Sequence, residues 1–237
     1  AFDIGKSKAT FGTGSFILVN TGSKKFKSKN KLLSTIAWNN HGAITYALEG
    51  SAFVCGSLVQ WLRDGIGIIE KSSEIESLAS SVKDSGGVTI VPSLTGMGAP
   101  YWLPNARGLI SGITRGTTKA HIARAALWSM AIQNSKLINT FKEDGAPISE
   151  LRVDGGACIN NLLMQMQADT SGLNILRPVN IESTVLGAVL GAGLEIGFFD
   201  KNNIAKLHTI DKVFTPSATV EQRDNYLKNF DEWVRKA

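Results

Sequence analysis

The sequence predicts an α/β domain built on a mixed sheet. Three observations lead there: an opening of three extended, β-rich segments, a later alternation of short apolar runs with helix-periodic ones, and glycine pairs where one gives way to the other. Antiparallel strands followed by β-α alternation call for a sheet of mixed direction, not the purely parallel sheet of a Rossmann fold. A chain of 237 residues is long enough to bury roughly 70–75% of its unfolded surface, so a core can form without covalent staples.

Phe11 to Val19 and Leu32 to Trp38 are rich in β-branched, leucine and aromatic residues. Asn20-Thr21-Gly22 and a lysine run separate them, which predicts the two strands of a hairpin. Ala43 to Leu48, after Gly42, is expected as a third strand. From Glu49 the period changes: Phe53, Val54, Ser57, Leu58, Trp61 and Leu62 share one side of a helix that stops near Gly65. A second helix is predicted near Ser73 to Val82, and a strand from Val88 to Val91 ended by Pro92. Ser93 to Arg107 forms a long loop with two prolines, Tyr101 and Trp102, a length and composition that point to a functional loop. Leu109 to Ile113 is expected as a strand and Thr118 to Phe141 as an amphipathic helix. There follow a strand at Glu150 to Asp154, a helix from about Asn160 to Thr170, a strand at Asn174 to Arg177, and helices at Thr184 to Ile196 and Val220 to Arg235.

Charge and composition exclude several classes. The apolar stretches, such as Val185 to Leu194, fall short of the roughly 20 residues of a membrane span. Cys55 and Cys158 sit in apolar or glycine-rich surroundings, which points to reduced thiols and a cytoplasmic protein. The opening lacks the pattern of a signal peptide, and a first residue Ala1 in place of Met reads as an internal cut. The net charge of +5 owes much to Lys24, Lys25, Lys27, Lys29 and Lys31. Without interleaved aromatics or a recognition helix, that run reads as a solvated hairpin tip and not a nucleic-acid surface. His41, His121 and His208 are too dispersed for a metal site.

Two glycine motifs carry chemistry. In Phe11-Gly12-Thr13-Gly14-Ser15, glycines beside a strand either form a bulge or let main-chain N–H groups approach a phosphate, with the threonine hydroxyl as a further donor. In Val153-Asp154-Gly155-Gly156-Ala157-Cys158-Ile159-Asn160-Asn161, a double glycine joins a strand to a helix that Asn160 or Asn161 caps. Such an elbow at the carboxyl end of a strand is either a bare turn or a ligand seat. Cys158 there is either an activated thiolate or, more commonly, a buried inert thiol. The two common glycine-rich phosphate loops, G-x-x-x-x-G-K-[ST] and G-x-G-x-x-G, do not occur.

Taken together, FGTGSF, TYALEGSAFVCGSLVQWLRD, VPSLTGMGAPYWLPNARGLISGITRGTTKAHIARAAL and LRVDGGACINNLLMQMQAD resemble, in order and spacing, the carboxy-terminal half of FGGY carbohydrate kinases. GAPYW followed by ARG, and YALEG followed by QWLRD, are most similar to the glycerol kinases among them, whereas Trp128 departs from the acidic or amide residue customary there. The resemblance covers essentially the whole chain. It implies the actin-like, ribonuclease H-like ATPase fold, with residues 1–237 as one of two domains, the nucleotide-binding half. It also implies a cytoplasmic kinase that forms homo-oligomers and uses ATP and Mg2+ to phosphorylate glycerol. Residue by residue, Gly12, Thr13 and Gly14 match the phosphate-contacting hairpin, Gly56 and Gln60 the ribose and phosphate side, and Gly155, Gly156 and Asn160 the adenosine elbow. Phe16 matches an aromatic beside glycerol. The family's catalytic aspartate lies in a Gly-Asp-Gln segment upstream of Ala1, and Asp3 does not match it, so no catalytic residue and no metal ligand is expected on this chain. The alternatives are another FGGY sugar or polyol kinase, or a non-catalytic nucleotide-binding module.

Overall fold

The computed structural model describes residues 3–146, 148–200, 203, 204 and 209–237. His208 and Ala1 lie outside the described residues. A seven-stranded sheet organises the chain, in the order β3 (Leu33–Asn40), β4 (Ala43–Ala52), β2 (Ser15–Gly22), β1 (Lys6–Phe11), β7 (Glu150–Asp154), β8 (Ile175–Pro178) and β9 (Ile210–Phe214). β1 (Lys6–Phe11) and β2 (Ser15–Gly22) form an antiparallel hairpin through Gly12-Thr13-Gly14. β1 also pairs in parallel with β7 (Glu150–Asp154), which pairs in parallel with β8 (Ile175–Pro178), and β9 (Ile210–Phe214) adds an antiparallel edge. The sheet is mixed, as the sequence predicts.

The opening differs from the sequence expectation in pairing. Phe11 belongs to a separate first strand, absent from the sequence reading because Lys6, Ser7 and Lys8 dilute its alternation. Phe11 to Val19 does not pair with Leu32 to Trp38 either. β3 (Leu33–Asn40) pairs with β4 (Ala43–Ala52), and β4 inserts between β3 and β2. His41 (φ 48°) and Gly42 (φ 89°) both take positive φ in the two-residue β3-β4 turn, the backbone that matches the twist of a tight hairpin.

The lysine run is therefore not a hairpin tip but the connection that carries the chain from β2 to the far edge strand. The Asp144 carboxylate, just past the helix Lys119–Glu143, accepts hydrogen bonds from the Ser28 hydroxyl, the Lys29 N–H (3.0 Å) and the Asn30 amide (2.9 Å). That fastening leaves all five lysines of the run exposed.

β4 runs through Glu49 to Ala52, so helix α1 begins later than expected and spans Gly56–Asp64. Glu49 and Ser51 keep the strand's alternation with buried Leu48, Gly50 and Ala52, and that period-2 signal outweighs the helical spacing of Phe53 and Val54. α2 spans Glu74–Ser80, α3 Lys119–Glu143 and α4 Asn161–Ser171. α3 and α4 pack against one face of the sheet, and α1 and α2 join the same core. Ala9 and Phe11 of β1, Ile17 and Val19 of β2 and Leu151 and Val153 of β7 point into that core, against Leu58, Leu62, Leu127, Leu137, Phe141 and Leu163 from the helices.

A second, smaller core joins a two-stranded ribbon, β5 (Thr89–Val91) with β6 (Leu109–Ser111), to the closing helix α6 (Val220–Val234). Val91, Met97, Ala106, Ile132, Leu227, Phe230 and Val234 fill it. Trp128 packs its ring 4.5 Å from that of Tyr226, so the residue that departs from the family pattern is an aromatic tie between α3 and α6. The long loop packs Met97 and Ala106 here, and the Tyr101 hydroxyl donates to Asp231 at 2.6 Å. α5 (Ser183–Glu195) is largely exposed, with only Leu190 and Gly193 buried.

Candidate functional site

The parallel register of β1 with β7 places Thr10 opposite Asp154. The chain then leaves both strands at the same end, one into the Gly12-Thr13-Gly14 turn and the other into the Gly155-Gly156 elbow. The two turns touch: a Cβ on Gly155 would lie 2.7 Å from the Phe11 carbonyl oxygen, and Gly155 has φ 84°. The amino end of α1 closes the group. Gly56 N–H donates to the Gly12 carbonyl at 2.8 Å, while the Thr13 carbonyl accepts from Cys55 N–H (2.9 Å), Ser57 N–H (3.1 Å) and the Ser57 hydroxyl (2.9 Å). Helix donors that would otherwise lack partners thus fix the turn. Thr13 is left exposed.

The glycines separate into two classes. Gly14, Gly56 and Gly155 are required by the fold, since a Cβ would meet backbone oxygen at 2.8 Å (Ala52), 2.7 Å (Gly12) and 2.7 Å (Phe11). Gly12 and Gly156 are not. A Cβ on Gly12 would meet only the Gly14 oxygen at 3.7 Å, and one on Gly156 would meet nothing within 4 Å. Those two open surface beside Thr13 and above the elbow.

Past the elbow, a 3-10 turn, Gly156–Ile159, precedes α4, whose start at Asn161 behind the Asn160 cap agrees with the sequence expectation. Asn160 is buried and caps α4, its Oδ1 accepting from Leu163 N–H at 2.8 Å. Its carbonyl-side oxygen is therefore committed to the helix, and the amide nitrogen is the part left to meet a ligand. Gln60 is exposed on α1, one turn beyond Gly56. Phe16, on β2, is 46% exposed.

Several residues that hold this site carry no motif signal. Glu76 of α2 accepts from Leu162 N–H (3.1 Å) at the start of α4. Arg177 of β8 donates to the carbonyls of Cys158 (3.2 Å) and Ile159 (3.1 Å). Lys8 pairs with Asp154 at 2.8 Å. These contacts span 86, 19 and 146 residues of sequence, a separation at which no local spacing rule operates. A cleft of about 760 Å³ lies apart from the turns, between the 100–106 loop, α3 and α6, and none of the glycine-turn residues lines it.

Both thiols are free and buried. Burial pushes Cys55 up from 9.0 to about 12. It also pushes Cys158 up to about 11, despite the opposing pull of Arg177, so Cys158 is an inert thiol. Among the described residues there is no group of three or more His, Cys, Asp or Glu that could hold a metal ion. His121 caps α3 with Thr118 and His41 lies in a turn. No helix of the described residues is long and apolar enough to cross a membrane.

Residues 7–195 match the FGGY family of carbohydrate kinases, C-terminal domain. The chain belongs to that family. Along 99% of its length it is 55% identical to a glycerol kinase of Bdellovibrio bacteriovorus, of which it covers 48%. It is 51% identical to one of Saccharolobus islandicus, again covering 48%. The chain thus spans about half the length of the curated relatives it matches. Among solved structures it superposes on Plasmodium falciparum glycerol kinase with ADP at a TM-score of 0.91, with 34% identity over 99% of this chain and 47% of that one. A Rhodospirillum rubrum xylulose kinase shares the fold, at TM-score 0.82 and 21% identity over 99% of this chain and 47% of that chain. The expected kinase-type fold is the one observed.

The two glycine classes generate opposite outcomes in denaturant. Gly155→Ala should lose about 2–4 kcal/mol of stability, since it combines positive φ with a backbone clash. Gly156→Ala should stay within about 0.5 kcal/mol of the parent. Urea unfolding of both variants checks this. The thiols set a pH dependence. Above pH 9 an unfolded thiol loses its proton, but the folded ones keep theirs until about 11 and about 12. The folded state then binds more protons, so stability falls as pH rises from about 9 towards 11. Replacing both cysteines with alanine should flatten that decline in unfolding curves taken across the window.

Proposed function

We propose that this chain is the nucleotide-binding half of a kinase that transfers the γ-phosphoryl group of ATP to glycerol. The observation that carries the reading is the meeting of two glycine turns at one end of the sheet, where Gly12 and Gly156 stay open although nothing in the fold requires a glycine there. Glycine at an unobstructed position lets a ligand come against the backbone. The ADP named for the Plasmodium neighbour supplies the ligand class, and the glycerol kinases supply the acceptor.

In this reading Thr13, exposed at the tip of a turn held by α1, steadies the phosphates with its hydroxyl and the adjoining amides. Gly56 and Gln60 lie on the ribose and phosphate side, and Gly155, Gly156 and the Asn160 amide nitrogen face the nucleoside. Phe16 lines the apolar side of glycerol. Fixed donors around a phosphoryl group act by position and by spreading negative charge, which is most of what this reaction needs from a protein. Mg2+ bound to ATP would supply charge neutralisation at the phosphates. Among the described residues no group of three or more His, Cys, Asp or Glu that could hold a metal ion occurs, and the turn itself offers a hydroxyl but no carboxylate, so in this reading the ion would be held chiefly by the phosphates.

The proton acceptor for the glycerol hydroxyl is proposed to come from the half of the family's length that this chain does not span, as an aspartate. The exposed face of α5 supports a second wall: Val185 and Val189 are 63% and 53% exposed, and Ile196, just past the helix, 79%. Apolar surface of that kind fits packing against another domain. Closure of that domain would exclude water as a competing acceptor. A cytoplasmic, homo-oligomeric enzyme is part of the same proposal.

Coupled assays on the complete protein should show ADP formation that depends on glycerol, with xylulose and gluconate poor acceptors; equal rates on xylulose would make it a different FGGY kinase. The isolated chain should give no turnover. Within the complete protein, Thr13→Ala should lower kcat about ten- to a hundredfold, the loss of one hydrogen bond to a charged group worth roughly 1.5–3 kcal/mol. Asn160→Ala should raise the nucleotide Kd about fivefold, since a hydrogen bond to a neutral group is worth ~1 kcal/mol. It should also cost ~1 kcal/mol of stability as a lost cap. If Thr13→Ala spares kcat and raises only the nucleotide KM, the turn is a binding element alone.

A further inference from the structure

The elbow is held from a side that its glycines do not reveal. Asp154, the last residue of β7, is 1% exposed. Its Oδ2 receives the Lys8 ammonium at 2.8 Å, the Ser183 hydroxyl at 2.5 Å and the Thr184 hydroxyl at 3.1 Å. Lys8 Nζ also donates to Thr184 Oγ1 at 2.7 Å. Asp154 Oδ1 is buried with no hydrogen-bond partner among the described residues. The next residue continues the attachment, because Gly155 N–H donates to the Ile181 carbonyl at 3.0 Å. Two consecutive elbow residues are thus fastened to the start of α5.

A buried carboxylate with one unsatisfied oxygen is a costly way to fill space, and well-packed apolar residues serve stability as well or better. What the carboxylate adds is direction. It joins β1 through Lys8 and the first turn of α5 through Ser183 and Thr184, where a helix amino end favours negative charge. Gly155, with its positive φ and its contact with Phe11, turns the chain immediately beyond this junction. A small shift of Asp154 therefore moves Gly155 and Gly156 together with α5.

We propose that Asp154, paired with Lys8, is a positioning residue that locks the nucleotide elbow to the amino end of α5, so that a nucleotide seated at Gly156 and the exposed face of α5 are held in one fixed relation. This rests on the reading of the elbow as a nucleotide site. Asp154 does not touch the nucleotide. It sets where Gly155 and Gly156 stand.

The test uses the complete protein and ADP as the probe, titrated by calorimetry. Asp154→Asn keeps the shape and removes the charge, and should raise the ADP Kd about tenfold. Lys8→Met should do much the same, and the double variant should be little worse than either, because both act through one ion pair. A merely structural role would lower the melting temperature equally with and without ADP and leave Kd in place. An ADP Kd within about twofold of the parent in folded Asp154→Asn overturns the proposal, as do Asp154→Asn and Lys8→Met losses that add in full. If Asp154→Asn fails to fold, Ser183→Ala combined with Thr184→Val severs only the link to α5. A rise of about threefold or more in its Kd then supports the proposal, and a smaller change overturns it. Gly156→Val tells the two readings apart. If it weakens ADP binding while Asp154→Asn does not, only the positioning role falls; if it too leaves Kd unchanged, the elbow is not the nucleotide site and both fall.

Discussion

The parallel pairing of β1 with β7 is the constraint on which the rest of this molecule depends. Its register runs from Lys6 opposite Glu150 to Thr10 opposite Asp154. It closes a separation of well over a hundred residues, an entropic cost that the apolar alternation of Ala9, Phe11, Leu151 and Val153 offsets by burying one face of both strands. A slip by one residue would turn those side chains to the opposite face, so the register is fixed. With it fixed, the two glycine turns must emerge side by side.

What the sheet brings together, helix ends then hold. α1 spends its first free N–H groups on the Gly12 and Thr13 carbonyls, and the start of α4 is satisfied by Asn160 and Glu76. Neither helix end is left as an open anion site. The turn is presented by α1, which makes the exposed Thr13 and open Gly12 surfaces of a rigid scaffold instead of parts of a loose loop. On the opposite side of the elbow, Arg177 of β8, the Ile181 carbonyl just before α5 and Ser183 of α5, which donates to Asp154, perform the same service.

The periphery follows a different logic. The 93–107 loop, whose composition points to function, packs Met97 and Ala106 against α6, and Tyr101 reaches Asp231. Burial and the neighbouring Asp231 carboxylate push the Tyr101 phenol far above its ordinary range, so it remains a donor. Trp128 with Tyr226 completes that tie. Those contacts tie the loop to the second core, while Gly98 of the same loop lies against the Ser51 carbonyl and the Phe53 ring, beside the Gly14 turn.

The sequence by itself determined the class of fold and most of its helices and strands, because periodicity and glycine or proline punctuation are local properties. Glu150–Asp154 and the helices of residues 119–143, 161–171 and 220–234 stand where their patterns place them, to within about two residues. The two glycine motifs were visible for the same reason. Only the tertiary structure decided which strand lies beside which: β4 between β2 and β3, a first strand hidden by Lys6 and Lys8, and a lysine run that spans between strands. Pairing depends on burial summed over distant segments, and no window of sequence contains it. It also decided which glycines the fold needs, since Gly155 and Gly156 are adjacent and alike in sequence, yet one lies against the Phe11 carbonyl and the other meets nothing. The same holds for Lys8 and Asp154, whose ion pair exists only because two strands far apart in the chain run parallel and in register.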